Sequence, residues 1–109
     1  MDVLANYFEF ASSRDKIHAK YKVTHRECII LRMVASAFHE GHTLTVSDVI
    51  QMKSIASPAT SHAALKSLVG KKLIENKSCT KDGRVKKLIP TEKAIKLYKE
   101  LGMLLVNTK

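Results

Sequence analysis

Apolar residues recur at helical spacing over most of the chain, and each interruption is marked by Ser, Thr, Gly or Pro. Residues 2 to 21 predict a helix. Val3, Tyr7, Phe10, Ile17 and Tyr21 share one stripe, and Leu4, Phe8 and Ala11 widen it beyond what one small domain needs to cover. Thr24-His25-Arg26-Glu27 has capping-box spacing, so a second helix starts there. It runs through CIILRMVASAFHE, with Ile30, Leu31, Val34 and Phe38 expected to face the core, and Gly41 should end it.

The middle of the chain changes rhythm. Leu44 has the setting of a very short strand, and Thr45 caps a brief helix, VSDVIQM, with Asp48 as its capping carboxylate. Ser57-Pro58 opens the next helix, because Ser is a strong N-cap and Pro lacks only an N–H that would have no partner there. Its inward residues are Ser61, Ala64, Leu65 and Leu68, which leaves Ala59, Thr60, His62, Ala63 and Lys66 outside. Two short helices joined by a tight turn make a helix-turn-helix. LIENKSC (73–79) and VKKLIP (85–90) then flank an Asp82-Gly83 turn signal, which predicts a β-hairpin. Thr91 caps a last helix in which Ala94, Leu97, Tyr98, Leu101, Leu104 and Leu105 recur at helical spacing.

The expected fold class is mainly α with a small β-hairpin, a winged helix-turn-helix flanked by N- and C-terminal dimerisation helices. The chain of 109 residues fits one domain: an N-terminal helix over 1–22, the winged unit over 24–90 and a C-terminal helix over 91–109. Charge adds the direction. Lys and Arg number 19 against 10 Asp and Glu, a net charge of +9, which points to a polyanionic partner, first of all nucleic acid. No apolar run approaches a membrane span, and MDVLANYFEF carries an acid where a signal peptide needs cations, so no membrane partner and a cytoplasmic location are expected.

With these elements in order, the sequence resembles the MarR family of bacterial transcription regulators. "LTVSDVIQMKSIASPATSHAALKSLVGKKLI" is similar to that family's helix-turn-helix, and "DGRVKKLIPTEKA" to its wing. The resemblance covers Thr24 to Ala94 and has departures. Lys72 stands where the family usually has a glycine, and Ala94 replaces another. Ala63 occupies a recognition-helix position where a larger polar or basic residue is frequent. One helix follows the wing where typical members have more, which implies a shortened member.

On double-stranded DNA, the second helix of a helix-turn-helix enters the major groove with its N-terminal residues toward base edges. Those residues are Ser57, Ala59, Thr60 and His62, with Lys66 a turn further on. Thr60 can hydrogen-bond a base or place its methyl against thymine. Arg84 at the wing tip is expected in the minor groove, where an arginine gains from the negative potential of a narrow groove. Asp82 is expected to orient it, and Lys81, Lys86 and Lys87 to contact phosphates. The broad terminal stripes are expected to pair two chains into a homodimer. Its effector, if it has one, is not legible, and no cofactor is expected. Winged helices also serve as protein-interaction or replication-initiation modules of mobile elements, and these are the rival readings.

Other chemistry finds less support. His25-x-x-Cys28 and His39-x-x-His42 have ligand-like spacing, but zinc needs a closed four-ligand set and no metal site is expected. Cys28 and Cys79 lie far apart, and only Arg26 nearby would lower a thiol pKa. No nucleophile elbow, phosphate-binding Gly loop or zincin motif occurs, so an enzyme is not expected.

Overall fold

The computed structural model describes residues 2–78 and 85–106. The elements are α1 (Val3–Lys20), α2 (His25–His39), α3 (Val46–Ile50), α4 (Pro58–Gly70), β1 (Ile74–Ser78), β2 (Lys86–Pro90) and α5 (Glu92–Val106). Both capping boxes form. Thr24 and Glu27 exchange side-chain and backbone hydrogen bonds at the start of α2, as Thr45 and Asp48 do at α3. The helix after Thr45 is shorter than VSDVIQM and stops at Ile50.

Three helices end in the same way. At α2 the left-handed residue is Gly41 (φ 95°), with the His42 N–H reaching the Ala37 carbonyl and the Gly41 N–H the Phe38 carbonyl. This is a Schellman closure, which satisfies carbonyls that the helix leaves open. At α1 and α4 the same closure is made by lysines, Lys22 (φ 58°) and Lys72 (φ 61°). At α4 the Leu73 N–H reaches Leu68 and the Lys72 N–H reaches Val69. Lys72, the residue standing at the expected glycine position, thus adopts the conformation that glycine would take most readily.

β1 and β2 pair antiparallel, with Ile74 opposite Pro90 and Ser78 opposite Lys86. The expected short strand at Leu44 is a single bridge: Thr45 pairs with Lys87, and the Leu88 N–H reaches the Leu44 carbonyl. The core lies where α2, α3, α4, the hairpin and the start of α5 meet. Ile30, Leu31, Val34, Val49, Leu65, Leu68, Leu73, Ile74, Leu88, Ala94 and Leu97 are almost wholly removed from water. One expected core residue is outside it. Phe38 is 41% exposed and Ala37 is buried in its place, because the packing around α2 does not extend over the Phe38 flank of its last turn.

α1 packs along α5, and Lys20 and Tyr21 both bond to the Glu100 carboxylate, Lys20 at 2.5 Å. No α1 residue is buried, and Val3, Leu4, Tyr7 and Phe8 are all more than half exposed. The described chain is elongated, 57 × 26 × 22 Å.

Candidate nucleic-acid interface

α4 rests on α2, α3 and β1. Ser61, Leu65 and Leu68 point into that contact, with Ala64 half-buried beside them. The opposite side carries Ala59, His62, Ala63 and Lys66, all exposed, with Thr60 half-buried at its flank. The two faces therefore divide as the periodicity expected.

The cap at the head of α4 also sets the chemistry of Thr60. Ser57 Oγ accepts the Thr60 N–H at 3.3 Å and donates to Thr60 Oγ1 at 2.9 Å. Ser57 thus spends its hydroxyl on the helix. Thr60 Oγ1, already accepting, is left to donate outward, and its methyl stays available for an apolar contact.

Lys86 and Lys87 are exposed on β2. Lys81, Asp82 and Arg84 lie outside the described residues. The hairpin register adds a residue that the sequence reading missed: Lys77 of β1 stands directly opposite Lys87. Lys53, exposed in the turn before α4, is a second cation near the start of that helix. Periodicity signals neither, since both depend on which residues the turns bring forward.

The spaced His25–Cys28 pair is not brought together as a ligand set. Cys28 Sγ instead lies 3.1 Å from Nε2 of His18 on α1. Burial raises the Cys28 thiol above its ordinary pKa, against the opposing pull of Arg32 and Arg14, and burial likewise lowers that of His18. This disfavours a thiolate–imidazolium pair. Among the described residues no group of three or more His, Cys, Asp or Glu side chains is placed to hold a metal ion. No described helix is long and apolar enough to cross a membrane.

No family sequence model matches the chain, and no curated protein matches it by sequence. Solved structures do. MepR of S. aureus in complex with DNA superposes with a TM-score of 0.71 at 21% identity, over 91% of this chain and 77% of that one. YusO of Bacillus subtilis gives 0.65 at 20% identity, over 94% and 69%. A MarR protein of Peptoclostridium difficile gives 0.62 at 17% identity, over 92% and 59%. The superposed part takes in nearly all of this chain, and the chain has the winged-helix fold of MarR-like regulators.

Proposed function

We propose that the chain is a sequence-specific, double-stranded-DNA-binding transcriptional regulator acting as a homodimer. It forms a single winged-helix domain over residues 1–109, with the segments 1–22 and 91–109 as its pairing helices, and works in the cytoplasm. α4 lies in the major groove and the hairpin lies on the adjacent minor groove. The observation that carries this reading is the exposed, cap-oriented outer face of α4, with Thr60, His62 and Lys66 on or beside it. It occurs in a chain of net charge +9 whose fold is also that of MepR, a protein solved with DNA.

Ser57 shapes the head of the helix, and Thr60 and His62 read bases. Lys66, Lys81, Lys86 and Lys87 answer phosphates, and Ala59 permits close approach. The contact set lacks the Asn or Gln that reads adenine bidentately and, on α4, the Arg that reads guanine, so phosphates carry most of the affinity. Arg84, oriented by Asp82, supplies the minor-groove contact. Arg84→Ala should cost about 1–3 kcal/mol of binding. Arg84→Lys should recover part of that, since lysine keeps the charge without the planar multi-donor head.

The deciding experiment is a salt-titrated binding assay on random duplex followed by site selection. Enrichment of an inverted repeat with half-sites about 34 Å apart supports the reading. An absence of DNA affinity at low salt would leave a protein-interaction module. Enrichment of repeated sites in an origin, with none in promoters, would indicate replication initiation.

A further inference from the structure

The end of α4 is held by side-chain hydrogen bonds as well as by core packing. Lys71, its C-cap, sends Nζ to Glu27 Oε1 at 2.6 Å and to the Lys22 carbonyl at 2.5 Å. Glu27 is only 5% exposed and also receives the Thr24 N–H at 3.0 Å and a hydrogen bond from Ser67 on α4. One carboxylate therefore gathers the start of α2 and the last turns of α4. Through Lys71 it also gathers the left-handed turn that closes α1.

The other side of the same segment is tied to α5. The Thr91 hydroxyl donates to the Lys72 carbonyl at 2.7 Å, Lys93 Nζ to the Lys71 carbonyl at 3.1 Å, and the Thr91 N–H to the Leu73 carbonyl. Residues 71–73 thus sit between the two helices whose apolar ends are exposed.

A buried carboxylate with three donors is rigid, because moving any one partner strands a charge away from water. We propose that Glu27 is the positioning residue of the recognition helix: through Lys71 and Ser67 it fixes the angle at which α4 is presented to DNA. Lys71, although cationic and at the C-terminal end of the reading helix, is a strut of this joint and makes no phosphate contact. This rests on the DNA-binding reading of α4. Angular precision matters for base edges and little for phosphates, so loss of the joint removes discrimination before it removes affinity.

The test compares wild type with Glu27→Gln, Lys71→Met and Lys71→Arg. Anisotropy titrations use the selected duplex and a random duplex at several salt concentrations, with folding confirmed by circular dichroism. Amide hydrogen exchange of residues 67–73 is measured without DNA. Glu27→Gln and Lys71→Met should weaken binding to the selected duplex by about tenfold, the scale of one good interaction, and to random duplex by less than about twofold. Lys71→Met should leave the salt slope unchanged and Lys71→Arg should restore discrimination. Exchange at 67–73 should quicken in Glu27→Gln more than exchange in α2 does.

Three results would overturn the proposal. In one, Lys71→Met weakens both duplexes alike and removes about 0.9 from the slope, which would make Lys71 a phosphate ligand. In another, Glu27→Gln lowers the melting temperature with discrimination intact, which would make Glu27 only a cap of α2. The third is unchanged exchange at 67–73 in Glu27→Gln. A wild type that does not discriminate among duplexes would sink the DNA reading instead, and the exchange measurement would still decide the joint.

Discussion

In the proposed DNA-binding reading, Thr60 and the Lys86–Lys87 pair divide the work of binding. Thr60 is placed as an outward donor by Ser57, whereas the lysines are exposed charges on a strand. Thr60→Ala should therefore flatten preference among DNA sequences. Changing Lys86 and Lys87 together to Ala should weaken all sequences alike and reduce the log K versus log salt slope by about 0.9 for each phosphate no longer neutralised. Selection on random libraries, followed by salt titration of the winners, measures both. Glu27 gives a different kind of expectation. Burial alone would raise its pKa, but Lys71, Ser67 and the Thr24 N–H together hold it below the ordinary 4.5. A lowered carboxylate stabilises the fold fully above its unfolded pKa, and that contribution disappears as pH falls through the folded value. Melting curves of wild type should thus steepen in their decline below pH 4.5, and Glu27→Gln should flatten that limb. Parallel limbs would show that the carboxylate is not coupled to folding.

At the scale of elements, the way the helices end makes a sharper test than the way they begin. Lys72 takes a left-handed backbone that costs an L-residue about 1–2 kcal/mol. Glycine would shed that strain while adding chain entropy to the unfolded state. Lys72→Gly should raise stability by a net of about 0.5–1 kcal/mol in urea melts. A decrease would mean that the Lys72 side chain contributes packing.

The caps were legible in the sequence because Thr24–Glu27, Thr45–Asp48 and Ser57–Pro58 act within one turn, where spacing alone decides the geometry. The inner and outer faces of α4 were legible for the same reason. Phe38 was misplaced because periodicity shows which face is apolar, not how far along a helix its covering extends. Lys77 opposite Lys87 and Lys71 on Glu27 join residues far apart in sequence. No local pattern announces them. The wing tip, with Arg84, was read from its residues alone.

The whole molecule is longer than its size requires. Its Cα radius of gyration is 15.5 Å, against about 13 Å for a compact domain of 100 residues. Much of the excess apolar surface is at the ends of the two outer helices, with Val3, Leu4 and Phe8 on α1 and Leu105 and Val106 on α5 more than 60% exposed. Leu4→Glu with Phe8→Glu should leave the fold intact, since neither touches the core, and should convert a dimer to a monomer in light scattering. A wild-type chain that is monomeric at micromolar concentration would end the pairing reading. Apolar ends that project in this way would tie the protein's action to its own abundance. Well below the Kd for pairing, the number of paired chains grows as the square of the number present, by mass action. A site built from two half-sites would then stay nearly empty through small fluctuations in expression and fill steeply once synthesis outruns dilution. If the chains pair, the strength with which the exposed ends of α1 and α5 hold each other would set the copy number at which such a site fills.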